Sequence, residues 1–238
     1  MVGNNTTFRL ISSLNQSAKI NMSIDKALAS IYKPTDKPIL RLYTWEKSFT
    51  VGISQEPISY AKRYPQYNDN FAKRMTGGGT LFHGHDLSYS IVLPTSSLQG
   101  LNVKKSYEKI CSFLLNFYKK LGLDAKYAKD TQGIELSKSE FCQVGFEAYD
   151  IIVNGMKIGG NAQRRSKNMI FQHGSIPLYG QNNTKETGSS LEDLNINLSY
   201  EQAMQKLKVS FEETFSVKLN DSALSEKENE YLQRLLEE

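Results

Sequence analysis

Apolar residues in this chain recur at two different periods, and the two follow one another irregularly. From about 20 to 32 they fall at Ile24, Ala27, Leu28 and Ile31, a helical spacing that Pro34 ends. Ile39 to Trp45 and Phe49 to Ile53 are short apolar and β-branched runs split by a polar turn, and Leu87 to Leu93 alternates through Tyr89 and Ile91, so these are predicted strands. Positions 107, 110, 111, 114, 117, 118 and 121 then trace one face of a helix from Val103 to Leu121, with Gly122 as its C-terminal cap. Tyr149 to Val153 and Met156 to Gly159 flank Asn154-Gly155, a pair that supplies the two positive φ angles of a type I′ hairpin turn. Ile170 to Leu178 is a further strand. Ser199 to Phe215 and Ser225 to Leu236 are helical, with a capping box from Ser225 to Glu228. Hairpins mixed with helices, without regular strand-helix-strand repetition, predict an α+β fold and not a doubly wound sheet.

The 238 residues suffice for one sizeable core, and 39% apolar residues with 16 glycines exclude a disordered tail or a collagen. One domain over 1–238 is expected, with 216–238 as a helical tail. Two cysteines, Cys111 and Cys142, make neither a disulfide framework nor a four-cysteine zinc site, and three histidines add little, so no metal site is expected. Cys111 lies on an apolar helix face and reads as a small buried hydrophobe. Met1 to Ser17 is polar and no run approaches the ~20 apolar residues of a bilayer span, which predicts a cytoplasmic chain with no membrane partner. The net charge of +4 is thinly spread, its densest run being Arg164-Arg165-Ser166-Lys167. No aromatic and basic residues interleave, so a nucleic-acid partner is not expected, and acidic protein surfaces suit the charge. Tyr179 to Ser190, rich in Gly, Asn, Thr and Ser, is expected to be a surface loop.

Two glycine-rich segments carry the candidate chemistry. In Lys73-Arg74-Met75-Thr76-Gly77-Gly78-Gly79-Thr80-Leu81-Phe82-His83-Gly84, three successive glycines strip side chains from the backbone. Its N–H groups can then approach an anion or an acyl carbonyl, and Arg74 can hold a carboxylate or phosphate through two bonds. The plainer alternative is a flexible loop with a salt-bridged Arg74. No Gly-Lys-Ser/Thr follows, so this is not a Walker A loop, and the extended stretch after it excludes a dinucleotide-type helix opening. His83 and His85 flank Gly84; one hydrogen-bonded and one solvent-facing ring are expected. The second segment places Lys157 fifteen residues after Cys142 and just past the Asn154-Gly155 turn, before Gly159-Gly160-Asn161-Ala162-Gln163-Arg164-Arg165. Gln172-His173-Gly174-Ser175 adds a polar interruption to the next strand. On these residues alone, two glycine-rich loops with one Arg and one Lys can enclose an acidic or acyl ligand.

Taken in order, these blocks resemble the lipoate-protein ligase and octanoyltransferase family of the biotin/lipoyl ligase superfamily. The resemblance runs through Arg74-x-Thr-Gly-Gly-Gly-x-x-x-His83, Asp86-Leu-Ser-Tyr-Ser90, Gly155-x-Lys157-Ile-Gly-Gly-Asn-Ala-Gln163-Arg and Gln172-His-Gly-Ser-Ile176. Upstream, Asn21-Met-x-Ile-Asp-x-Ala-Leu28 and Arg41-x-Tyr-x-Trp45, then Val51-Gly52 and Gln55, are similar to its opening helix and strands. Coverage is about residues 8–215; each block alone is weak, and their order makes them specific. The resemblance implies a mixed, largely antiparallel sheet wrapped around an apolar acyl tunnel, with flanking helices. It implies transfer of a medium-length fatty acyl group to one lysine of an acidic carrier, a glycine-cleavage H protein or a lipoyl domain. It also implies that Arg74, Gly77, Gly78, Gly79, Thr80, Leu81, Phe82 and His83 line the acyl or acyl-phosphate site, together with Gly159, Asn161 and His173, and that Lys157 touches the reacting carbonyl.

The family holds two chemistries. In one octanoyltransferase branch a cysteine fifteen residues before the glycine-flanked lysine takes octanoate from acyl carrier protein as a thioester, without a cofactor. Cys142 and Lys157 have that spacing, and a nearby ammonium favours the thiolate. In the ligases, ATP with magnesium and free lipoate or octanoate give an acyl-adenylate, aided by an extra domain or a separate accessory chain. Residues 216–238 allow one helix and no such domain, which favours the transferase. On the other side, Gln143-Val144-Gly145-Phe146-Glu147 lacks the Phe and Pro-Ser neighbours common in cysteine transferases, Gly77-Gly78-Gly79 reads as in ligases, and Asn161 stands where Ser is frequent. The expectation is a Cys142-dependent octanoyl or lipoyl transferase. The ligase is its alternative, and a non-catalytic paralogue that binds lipoyl carriers is the third reading.

Overall fold

The computed structural model describes residues 6–67, 69–137, 139–182 and 184–237. Its elements in chain order are β1 (Thr7–Gln16), α1 (Ala18–Ile31), β2 (Ile39–Trp45), β3 (Ser48–Val51), α2 (Pro57–Arg63), β4 (Phe71–Lys73), β5 (Leu81–His83), β6 (Asp86–Pro94) and α3 (Val103–Lys120). Then come β7 (Lys126–Tyr127), β8 (Ile151–Val153), β9 (Met156–Arg165), β10 (Met169–Pro177), α4 (Thr184–Thr187), α5 (Tyr200–Phe215), β11 (Lys218–Asp221) and α6 (Glu226–Glu237). A large sheet runs β11-β1-β2-β6-β10-β9-β8-β7 and a small one β4-β3-β5. In the large sheet only the two pairings of β1 are parallel, so the expected mixed, largely antiparallel sheet is what forms.

Strand alternation sorts the core into layers. Leu87, Tyr89, Ile91 and Leu93 of β6 point to one face and pack with Phe113 and Phe117 of α3 and Phe211 of α5, while Val92 turns to the other face and packs with Leu28 of α1 and Leu232 of α6. Every residue of β2 is buried, as a central strand covered on both faces requires. The helix ends are set by local chemistry. The Asn102 side chain accepts from Lys105 N at the start of α3, and Gly122 takes φ +79° after its end. Ser225 N donates to Glu228 Oε2 at 2.6 Å and Glu228 N to Ser225 Oγ at 3.4 Å, completing the expected capping box. Asn154 and Gly155 have φ +49° and +78°, the turn that sets the β8–β9 register.

Four expectations change. The polar N-terminal stretch, of which residues 1–5 lie outside the described residues, becomes β1 and buries Phe8, Leu10 and Ile11. The tail makes β11 before its helix, and β11 pairs with β1 in parallel; Arg9 then holds Glu228 through two bonds of 2.6 and 2.8 Å. His85 is as buried as His83, because the Leu178 and Tyr179 amides donate to its carbonyl and close over it. The 179–190 segment, whose residue 183 lies outside the described residues, includes α4 and buries Thr187 and Ser190. Among the described residues no helix is long and apolar enough to cross a membrane.

A fully buried ion pair fixes α1 to the large sheet. Arg41 of β2 donates to Asp25 Oδ1 at 2.8 Å, and Asp25 also accepts from Ser90 of β6 at 2.7 Å and Tyr43 at 3.0 Å. Burial pushes the Asp25 carboxyl up, but Arg41 and His173 outweigh it and hold the group below the usual carboxylate range. Arg41→Met leaves that carboxylate uncompensated and is expected to cost about 3–5 kcal/mol. Urea unfolding measures this, and an unchanged midpoint would show that the pair does not hold α1 in place.

Candidate active site

A cavity of about 230 Å³ opens between the two sheets. Met22, Tyr43, Trp45, Leu81 and Phe141 give it an apolar side, and its other wall is glycine backbone with a few polar groups. Three segments meet there: the 74–79 loop leading into β5, the 141–150 segment before β8, and the start of β9.

Backbone contact zips the first two segments together. Thr80 N donates to Glu140 O at 2.7 Å and Cys142 N to Thr80 O at 2.8 Å, which places Cys142 at the cavity wall. The approach requires glycine. A Cβ on Gly79 would stand 2.4 Å from Glu140 O, and Gly78 has φ +100°. A Cβ on Gly78 would lie 3.2 Å from Arg74 Nη2 and 3.8 Å from Cys142 Sγ. The backbone N–H groups of Gly77, Gly78 and Gly79 donate to no acceptor among the described residues.

Lys157, directly past the hairpin turn, reaches into the Cys142 segment. Its Nζ lies 2.5 Å from Cys142 O, 2.7 Å from Gly145 O and 2.6 Å from Asp150 Oδ2, so each of its three donors has an acceptor. Asp150 also accepts from Glu147 N at 2.6 Å. Burial pushes the Asp150 carboxyl up to about 6, against the opposing pull of Lys157. Arg74, 5% exposed, instead bonds only neutral oxygens: Thr50 O and Oγ1 at 3.0 and 2.9 Å, Gly77 O at 3.3 Å and Gly79 O at 2.6 Å. Burial lowers its pKa, and Cys142 opposes that.

Both site histidines are locked from behind. His83 stacks on Trp45 with ring centres 3.7 Å apart and lies between Asp86 at 3.0 Å and Thr50 at 2.9 Å. Burial would raise the Asp86 carboxyl, but His83, His85 and Ser175 bring it down to about 2. His173 contacts Thr76 at 2.7 Å and faces Asp25 at 3.8 Å, and burial lowers its pKa despite that carboxylate. Asn161 accepts from Tyr89 at 2.6 Å and donates to Tyr149 O at 3.2 Å, a bracing role as well as a place on the wall.

Of the residues expected in the site, Arg74, Gly77, Gly78, Gly79, Leu81, His83, Cys142, Lys157, Asn161 and His173 line the cavity. Thr80, Phe82 and Gly159 do not. Thr80 acts through its backbone zipper, Phe82 packs with Phe49, Tyr64 and Tyr67 behind the small sheet, and Gly159 lies against Ser175 O and Tyr118. Cys111 is buried in the core as expected, its thiol pushed up to about 12 by burial. Asp150 and the Trp45 wall were missed. The one available signal for Asp150 was its place directly before the strand that pairs with Lys157. Among the described residues no group of three or more His, Cys, Asp or Glu could hold a metal ion.

A family model described as the lipoyl protein ligase A/B catalytic domain matches residues 17–215. The chain is similar to Octanoyltransferase LipM of Bacillus subtilis, 28% identical over 97% of this chain and 94% of that protein. It is similar to Octanoyltransferase LipM of Exiguobacterium sp., 33% identical over 73% of this chain and 66% of that protein's length. Among solved structures, lipoate-protein ligase A bound with ATP superposes with a TM-score of 0.77 at 21% identity, covering 98% of this chain and 94% of that one. A bi-partite lipoate protein ligase from Thermoplasma acidophilum, solved in a study that includes its E2 lipoyl domain, gives 0.76 at 19% identity, covering 98% and 92%. These two likenesses establish the fold.

The Asp150 environment has a consequence for stability. An unfolded Asp has a pKa of about 3.9, and burial pushes Asp150 of the folded protein up to about 6. Between those values the folded state holds a proton that the unfolded chain has lost, so the contribution of this group to stability falls as pH rises across the window. Asp150→Asn is expected to remove that slope. Urea unfolding of both proteins from pH 4 to 7 checks it, and a stability difference that stays constant across the window would remove Asp150 from the account.

Proposed function

Because this chain belongs to the lipoyl protein ligase A/B catalytic-domain family, we propose that Cys142 takes up an octanoyl or lipoyl group as a thioester and passes it to one lysine of a lipoyl-carrier protein. The observation that carries this reading is the Cys142 thiol on the wall of a half-apolar cavity, with its own carbonyl tied to Lys157. The octanoyltransferase relatives support the same chemistry.

In the first step the thiolate attacks the carbonyl of an octanoyl thioester on acyl carrier protein. The Sγ–C bond forms, the carrier's C–S bond breaks, and its sulfur leaves with the electron pair and takes a proton. In the second step the neutral amine of the lipoyl-carrier lysine attacks; the C–N bond forms, Sγ leaves as thiolate, and the amine's proton passes to water. Negative charge grows on the acyl oxygen each time. The free N–H groups of Gly77, Gly78 and Gly79 border the cavity and suit that oxygen. Lys157 holds the Cys142 segment in place, and it meets the acyl carbonyl by exchanging one of the two backbone carbonyls it now bonds.

On this reading the reaction needs no added cofactor; ATP and magnesium belong to the ligase chemistry of the fold. Both protein partners are acidic carriers, which a basic enzyme of net charge +4 attracts and orients. Two unpaired cysteines suit a reducing compartment, and on this reading the chain works in the cytoplasm.

Incubation with octanoyl-acyl carrier protein, without ATP, is expected to give a hydroxylamine-labile octanoyl adduct by intact mass, absent in Cys142→Ala. Carrier acylation that appears only with ATP and free lipoate or octanoate would assign the chain to ligase chemistry instead. Lys157→Ala is expected to abolish carrier acylation, and retained activity in that variant would take Lys157 out of the reaction.

A further inference from the structure

Two cations border Cys142, and the structure treats them differently. The charge of Lys157 is already matched by Asp150 at 2.6 Å, and its remaining donors are spent on the carbonyls of Cys142 and Gly145. Arg74 is equally buried but has no carboxylate partner among the described residues, since its four hydrogen bonds end on neutral oxygens. A guanidinium held in the interior by neutral groups alone is an incomplete arrangement, because burying a charge is costly unless an opposite charge answers it. The place where an anion would complete it is the Cys142 sulfur. Arg74 Nη2 and Cys142 Sγ lie 3.2 and 3.8 Å from the same point, the Cβ position that Gly78 leaves empty, so their separation cannot exceed the sum of the two, 7.0 Å.

The geometry points to Arg74, and not Lys157, as the cation that stabilises the Cys142 thiolate, across the gap kept open by Gly78. This inference rests on the thioester reading of the site. It gives the second glycine of the run a specific purpose: with φ +100° and no side chain, Gly78 leaves the space between a buried cation and a sulfur no more than 7.0 Å apart unfilled. On ionisation the S–H proton passes to solvent, Arg74 keeps its own protons, and the pair is electrically closed.

Among the described residues, no other group facing the cavity offers a free positive charge. His83 is held by Asp86 and Thr50, and His173 by Thr76 with Asp25 behind it. Tyr43 of β2 and Tyr107 of α3 are phenols, and Glu147 on the Cys142 segment is exposed and acidic. Lys157 and Asp150 answer each other.

The test is peptide-mapped alkylation of Cys142 by iodoacetamide across pH 5 to 10 in the full chain, with thiolate absorbance followed in parallel. Arg74→Met is expected to move the profile to higher pH and slow alkylation roughly ten-fold at pH 7, the effect of about one unit of thiol acidity. Arg74→Lys should restore most of the loss, and removing both members of the other pair, Lys157→Met with Asp150→Asn, should leave the midpoint close to the starting one. An unmoved profile in Arg74→Met, or an equal shift in the Lys157→Met, Asp150→Asn double variant, assigns the thiolate to another group. The octanoyl-adduct assay separates the two claims. An adduct with an unmoved profile retires Arg74 alone, and a shifted profile without an adduct retires acyl transfer and leaves the charge pair.

Discussion

Burying a positive charge is unfavourable unless an anion or a full set of hydrogen-bond acceptors replaces water, and Arg41, Arg74 and Lys157 are each no more than 5% exposed. The compensation of each one shapes a different part of the molecule. Arg41 meets Asp25, and the pair ties α1 to the adjacent strands β1, β2 and β6, Arg41 through Ser13 and Asn21 and Asp25 through Tyr43 and Ser90. Lys157 meets Asp150 and draws the 142–150 segment onto the start of β9. Arg74 meets only carbonyl and hydroxyl oxygens, and the glycine loop curls around it to supply two of them. The first arrangement holds the fold and the other two bring a thiol and a backbone-lined wall together.

The sheet explains why these groups converge. β6, β10 and β9 are consecutive neighbours in register, so Ser90, His173 and Ala162 lie side by side across three strands, as do Ser88, Ser175 and Gly160 two residues away. Polar and glycine positions in central strands thus become one contiguous patch on the cavity side, while Leu87, Ile91 and Leu93 pack against α3 and α5. The small sheet then needs only to present its backbone. Gly52 and Gly79 allow this because a Cβ on either would meet a carbonyl oxygen at 2.1 or 2.4 Å.

Much of this was legible in the sequence wherever local chemistry decides structure. The Asn154-Gly155 turn, the Ser225-Glu228 box and the single apolar face of 103–121 each specify an element from within a few residues, and each forms as read. Where a partner distant in sequence decides, the reading fell short. β1 is half polar and becomes a strand because β2 and the far-off β11 pair with it; β11 is too short and exposed to announce itself. His85 and the 179–190 segment looked solvated because the groups that cover them come from elsewhere in the chain. Cys142 and Lys157 were singled out through the family resemblance, whose fifteen-residue spacing from cysteine to lysine they match. Asp150 was not, since a lone carboxylate ahead of a strand reads as surface until the lysine it meets is seen.

The Lys157–Asp150 pair also bears on why an enzyme would keep a charge inside. With Asp150 raised to about 6, desolvation outweighs the attraction of Lys157 for that carboxylate. Replacing such a pair with apolar residues of similar size is often neutral or stabilising by about 1–4 kcal/mol, so stability alone does not account for it. What an apolar pair cannot do is donate to the Cys142 and Gly145 carbonyls and so fix that segment against the start of β9. Arg74 shows the complementary economy: its neutral cradle holds the guanidinium in place without spending its charge. On the proposed reading, such a site carries one neutralised cation that sets geometry and one unneutralised cation that serves the sulfur. The glycine between Arg74 and the sulfur is what allows the second to act.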